Sequence, residues 1–215
     1  MSPSRRPGIF VVLEGIDGAG TTTQAEALTA ALKARGHRVL TTCEPSDGPI
    51  GSTIRQALLG RLGLPGRKGP LSPETLALLF AADRVDHLEA QVLPALRRGE
   101  VVLCDRYLLS SLAYQGSSLP MEWVEQANAR AVRPDLTLFI EVNAKTASRR
   151  RSLRGGEPEM FDADEKQRRI AKQYLAAIRR RSRKERIVRI DGGLSVDEVT
   201  QASLAAIDRA LPAWR

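Results

Sequence analysis

The sequence predicts an α/β fold of three layers, a five-stranded parallel sheet flanked by helices, with a short lid at about 150–162. Two observations predict it. Five short Val/Ile/Leu-rich runs alternate with helical stretches, the pattern of parallel strands joined by helical crossovers. The runs are almost continuously apolar, as strands covered on both faces are. A chain of 215 residues with 42% hydrophobic content buries one substantial core, so a single domain over 1–215 is expected.

The strands are expected at 9–13, 37–42, 101–104, 136–142 and 186–190. Helical stretches fall between them at 21–35, 50–59, 73–98, 121–132, 144–153, 164–180 and 196–210. The boundaries carry their own signals. Ser72-Pro73 supplies an N-cap and a proline at the first helical position. Ser195-Val196-Asp197-Glu198 reads as a capping box, and Gly36 and Gly99 stop the helices ahead of the second and third strands. Gly63 to Pro70 and Arg154 to Glu159 read as loops.

Composition narrows the function. No apolar run approaches the length that crosses a bilayer, and no signal-type core follows Met1 to Pro7, so a cytoplasmic location is expected. The net charge of +8 fits nucleic acid or small anionic substrates. The late basic run from Arg149 to Arg189 has almost no interleaved aromatics, which argues against single-strand binding. Beyond Arg168 it reads as a solvated helix face. Cys43 and Cys104 have no metal-site spacing and read as buried, reduced side chains.

The most informative segment is Gly15-Ile16-Asp17-Gly18-Ala19-Gly20-Thr21-Thr22. It follows the first strand and opens a helix, the context of a phosphate-cradling loop, and points to the P-loop NTPase fold. The glycines let backbone N–H groups approach phosphate oxygens, and the helix adds its positive N-terminus. Thr22 stands where the motif's hydroxyl ligates Mg²⁺. Thr21 stands where the motif has lysine. The next lysine, Lys33, lies about 18 Å along the helix and cannot replace it. Arg150 and Arg154 flank the lid and are the candidate substitutes, since a mobile arginine can carry transition-state charge.

Ligands of such sheets bind beyond the carboxyl ends of the strands, where Asp17, Glu44, Asp105 and Arg106 fall. Phe80 and Arg84 are four apart on one helical face, so a ring and a guanidinium can meet a flat base. Ser111, Tyr114 and Gln115 converge if that stretch is a helical turn.

With Glu44-Pro45, Leu79-Phe80-Ala81-Ala82-Asp83-Arg84, Val101 to Tyr107, Ser110 to Gly116 and Pro134 to Leu138, the chain resembles the thymidylate kinases over nearly its whole length. The resemblance implies ATP-dependent phosphorylation of dTMP, Mg²⁺ as cofactor and a homodimer packed through helices such as 73–98. It implies that Phe80 stacks on thymine, Arg84 donates to its O4, and Ser111 and Gln115 serve its N3 edge. Tyr114 would crowd the place of a 2′-OH, and Asp17 would hold the 3′-OH. Arg106 would lie between the two phosphates, with Arg55 extending the anion site. Glu44 and Asp105 would act on Mg²⁺ directly or through water. The chain departs from the family at Thr21, at Cys43 where Thr-Arg-Glu-Pro is usual, and at Met160 where the lid has an arginine. Each departure removes positive charge. A related kinase with another acceptor, a degenerate nucleotide-binding module and an arginine-mediated nucleic-acid binder are the other readings.

Overall fold

The computed structural model describes residues 8–62, 71–153 and 162–211, the side chains of 162–164 excepted. The five strands are β1 (Ile9–Glu14), β2 (Val39–Cys43), β3 (Val101–Asp105), β4 (Leu136–Glu141) and β5 (Ile187–Asp191). They form one parallel sheet in the order β2-β3-β1-β4-β5. Every residue of β1 and β3 is buried, whereas the edge strand β2 is mostly half-buried. That gradient explains the continuous apolar runs, since a central parallel strand has helices on both faces.

The helices are α1 (Thr21–Ala34), α2 (Pro49–Leu58), α3 (Pro73–His87), α4 (Leu93–Arg97), α5 (Leu108–Tyr114), α6 (Met121–Ala127), α7 (Ala144–Ser152), α8 (Asp162–Arg181) and α9 (Val196–Ala210). The expected caps are present. Ser72 Oγ accepts from Thr75 N–H, and Ser195 and Glu198 form a reciprocal capping box. Gly36 and Gly99 adopt φ of 86° and 73°, the left-handed turn that glycine makes cheaply.

Two helices differ from expectation. The stretch 73–98 is not one α-helix, because a π-turn at Leu88–Val92 separates α3 from α4. Leu93 N–H bonds Leu88 C=O, five residues back. Pro94, which has no N–H to give and clashes with a regular ladder, follows directly. The stretch 121–132 stops at Ala127, where Asn128 is buried and its side-chain amide donates to Val124 C=O. The other expected elements differ from the observed ones by at most two residues at either end.

The basic run on α8 is largely solvated, with Arg180 bridging to Glu122 and Glu125 at 2.9 and 2.7 Å. Exposed pairs of this kind add little stability. No described helix is long and apolar enough to cross a membrane.

Candidate active site

The loop from Gly15 to Gly20 leaves the buried end of β1 and enters α1. Gly20 is left-handed at φ 96° and caps α1 without a side-chain bond, leaving the first N–H groups of the helix for a ligand. Gly18 is also left-handed, and a Cβ there would meet Ala147 C=O of α7 at 2.4 Å. Glycine is thus required where α7 closes on the loop.

Thr22 and Asp105 come together because β1 and β3 are neighbours. Thr22 Oγ1 donates to Asp105 Oδ2 at 2.6 Å, and Asp105 Oδ1 is buried without a partner among the described residues. Thr21 is buried, its methyl 3.3 Å from the position of a Cβ on Gly15. Two arginines of α7 approach the loop instead. Arg150 Nη1 donates to Ala19 C=O at 3.2 Å and Arg151 Nη1 to Asp17 C=O at 2.8 Å. Arg150 also borders a cavity of about 180 Å³ with Ala19, Gly20, Thr23 and Gln24 on one side and Leu194 and Val196 on the other.

A second cavity, about 310 Å³, opens beside the loop. Asp17, Arg106 and Tyr114 line one part of it, and Glu44, Pro45, Phe80, Arg84, Ser111 and Gln115 another. Arg84 is 1% exposed and carries the most elaborate surroundings. Its Nη2 donates to Glu44 Oε2 at 2.6 Å and to Ser111 Oγ at 3.1 Å, its Nη1 donates to Asn128 Oδ1, and its guanidinium lies 4.8 Å from the Tyr107 ring centroid. Among the described residues its Nε has no partner, and neither has the buried Gln115 Oε1. His87 Nδ1 lies 3.3 Å from Glu44 Oε1, and its Nε2 is 2.7 Å from Thr42 Oγ1. Both oxygens of Glu44 are therefore engaged by Arg84 and His87.

Arg106 sits at φ 71°, an uncommon backbone for a residue with a Cβ and one that marks strain held by its surroundings. Its N–H is fixed on Leu13 C=O at 2.8 Å. Its guanidinium reaches Asp17 Oδ1 at 2.8 Å, and Gly15 C=O and Tyr114 OH at 3.1 Å each. Burial opposes its charge, but Tyr174, Tyr114 and Asp17 outweigh burial and push its pKa up. It is a permanent cation at the junction of loop and cavity.

Beneath this junction lies Glu14, fully buried. It accepts from Tyr107 N–H at 3.0 Å, from Ser110 Oγ at 2.6 Å and from Tyr174 OH at 3.1 Å. Burial outweighs these bonds and raises its pKa. A raised carboxyl contributes stability in full below the ordinary value of about 4.3 and loses it as pH rises through the folded-state value. Glu14→Gln is expected to flatten that loss, read as the urea midpoint against pH; identical slopes in the two proteins would contradict it.

Of the residues singled out from sequence, Arg55 is not brought to the cavity wall. It donates to Pro45 C=O at 2.7 Å and to Ser46 C=O at 2.6 Å, bracing the turn after β2. Arg154 and Met160 lie outside the described residues, as does most of the expected lid. Sequence reasoning missed His87, Asn128, Lys166, Gln167 and Tyr174. His87 is three residues from Arg84 and so shares its helical face, a usable signal. The others had none. Burial pushes the Cys43 and Cys104 thiols up, so both stay protonated.

Two adjacent cavities, one opening on a phosphate cradle and one on a charged pocket walled by aromatics, suit a two-substrate phosphotransferase. With this sheet order they place the chain among the P-loop nucleoside-monophosphate kinases. The family profile for thymidylate kinase matches residues 13–202. A probable thymidylate kinase of Pyrococcus horikoshii is 46% identical over 169 residues, 78% of this chain and 82% of that one. One from Pyrococcus abyssi is 42% identical over 205 residues, covering 95% and 98%. A thymidylate kinase of Pelotomaculum thermopropionicum is 39% identical over 219 residues, covering 94% and 99%. The chain belongs to the thymidylate kinase family.

Proposed function

We propose that the protein transfers the γ-phosphoryl group of ATP to dTMP, giving dTDP. The observation that carries the acceptor is the pair of unpartnered atoms bordering the larger cavity, the Arg84 Nε donor and the Gln115 Oε1 acceptor. A base with a carbonyl next to a ring N–H satisfies both, and thymine has O4 beside N3–H. Cytosine presents the opposite pattern, an amino donor beside a ring acceptor. Phe80 supplies a flat apolar wall, and Tyr114, with Asp17, faces the sugar.

The donor's phosphates are assigned to the backbone nest of residues 15–20 and its base to the smaller cavity between Arg150 and Val196. Mg²⁺ fits the Thr22–Asp105 pair, whose unpartnered buried Oδ1 supplies a hard oxygen. When bound, the ion neutralises charge on the phosphoryl oxygens. Glu44 is left to hold Arg84. Arg106 lies where the two phosphates meet, stabilising the charge that develops between them. No general base is needed, because the attacking phosphate oxygen is already anionic and the work is positioning and charge stabilisation. Arg150, whose Nη1 lies 3.9 Å from the position of a Cβ on Gly20, is the cation assigned to stand in for the absent lysine.

A homodimer through α3 is part of the proposal, supported by Leu78 and Val85, which are exposed seven residues apart on one face. So are a single domain and a lid over 150–162 that carries Arg154.

A coupled assay with ATP, Mg²⁺ and a panel of monophosphates tests the reading. Turnover of dTMP should exceed that of dCMP by at least about 100-fold, since a site built to hydrogen-bond rejects a mismatched partner strongly. Thr21→Lys should raise turnover about tenfold, the lower end of what a charged hydrogen bond is worth. No turnover of dTMP above background in either protein would remove the proposal.

A further inference from the structure

We infer that the first turns of α8 complete the acceptor site, Lys166 serving as the cation for the acceptor's phosphate and Gln167 fixing the carboxylate of Asp17. This rests on reading the 310 Å³ cavity as a nucleoside-monophosphate site.

The argument begins with the charge balance of that cavity. Its lining contains three cations, Arg84, Arg106 and Lys166. Arg84 is matched by Glu44 at 2.6 Å and Arg106 by Asp17 at 2.8 Å. An incoming monoester adds close to two negative charges near neutral pH. Lys166 makes no ion pair with any described residue, so its charge is available. From β2 the cavity is lined by none of the strand's own residues, and the residue before Glu44 is Cys43, a thiol kept neutral by burial. The end of β2 therefore brings no cation, and α8 brings one. Lys166 is exposed, and a lysine has a flexible four-carbon stem that lets its ammonium follow a phosphate.

Gln167 supplies the second, independent contact. It is 8% exposed, and its Nε2 donates to Asp17 Oδ2 at 2.7 Å. Asp17 Oδ1 is already held by Arg106 and Tyr114, both at 2.8 Å. The carboxylate is thus fixed from both sides. Among the described residues Gln167 Oε1 is buried without a partner, an acceptor adjacent to that carboxylate. Seven residues on, the Tyr174 hydroxyl lies 3.1 Å from both Gly15 C=O and Glu14 Oε2 and ties the same face of α8 to the phosphate loop. The helix is therefore placed by the loop, and its first turns are placed over the acceptor.

The test uses the full-length protein and separates phosphate from sugar. Affinities of dTMP, thymidine and 3′-deoxythymidine monophosphate are measured by calorimetry, and KM for dTMP by the coupled assay. Lys166→Met should weaken dTMP about tenfold, raise KM in parallel and leave thymidine unchanged, while Lys166→Arg keeps dTMP affinity. Gln167→Leu should weaken dTMP and thymidine alike and spare the 3′-deoxy compound. Unchanged dTMP affinity in Lys166→Met, or equal losses for dTMP and thymidine, would overturn the role of Lys166. Equal losses for dTMP and its 3′-deoxy analogue would overturn that of Gln167. A wild-type protein that binds neither dTMP nor thymidine would instead strike down the acceptor reading, and this inference with it.

Discussion

Arg106→Ala should lower kcat/KM for phosphoryl transfer about a thousandfold, roughly 4 kcal/mol of lost transition-state stabilisation. The guanidinium is held on three sides, by Asp17, Gly15 and Tyr114, and lies 5.2 Å from the Tyr114 ring centroid. Such a group is already in place when charge develops between the phosphates and needs no reorganisation. Arg106→Lys should recover little, because one ammonium cannot reach all three partners at once. The backbone adds a control. Since φ is 71°, Arg106→Gly relaxes the main chain while deleting the charge. Glycine should therefore match alanine in activity and exceed it in stability. Single-turnover rates and thermal midpoints read the two effects separately. An alanine variant within tenfold of wild type would show that Arg106 is structural.

The second large effect lies at the floor of the acceptor cavity. Arg84→Met should cost about 3–5 kcal/mol of stability, since it leaves the buried Glu44 carboxylate without its cation. It should also raise KM for dTMP at least a hundredfold. Pairing it with Glu44→Leu should restore most of the stability, because an apolar replacement of both charges is often neutral or better. It should not restore affinity for dTMP. Urea midpoints and KM values measured on the three variants check this. If stability and affinity returned together in the double variant, Arg84 would be holding the fold and not reading the base.

Much of this was legible in the sequence. The central strand, the glycine loop and the helix after it announce themselves by local pattern, and so do Thr22 and the Asp105-Arg106 pair at a strand end. The four-residue spacing of Phe80 and Arg84 correctly places both on the wall of one cavity. Ser111 and Tyr114 do lie on a helix, α5, that the sequence offered only as a conditional turn. What was hidden depends on packing between distant segments. Asn128 meets Arg84 across 44 positions, Gln167 meets Asp17 across 150, and Tyr174 meets Glu14 across 160. No local periodicity encodes such contacts. Glu44 shows the same limit. The resemblance implied that it acts on Mg²⁺ directly or through water, and no local pattern announced that α3 presents Arg84 and His87 to its two oxygens. Arg55 similarly faces the turn it braces, because two carbonyls of that turn lie within its reach.

The pairing of Arg84 with Glu44 has a consequence for how the pocket works. One positive and one negative group, both sealed from solvent, cancel, so the base end of the cavity projects almost no field into the medium. It cannot draw a nucleotide in from a distance; it can only inspect the one that arrives. Long-range capture falls to the outward-facing cations of α7 and α8, whose pull ignores which base is attached. Attraction and discrimination are thus housed in different elements of the fold, and each can change without disturbing the other.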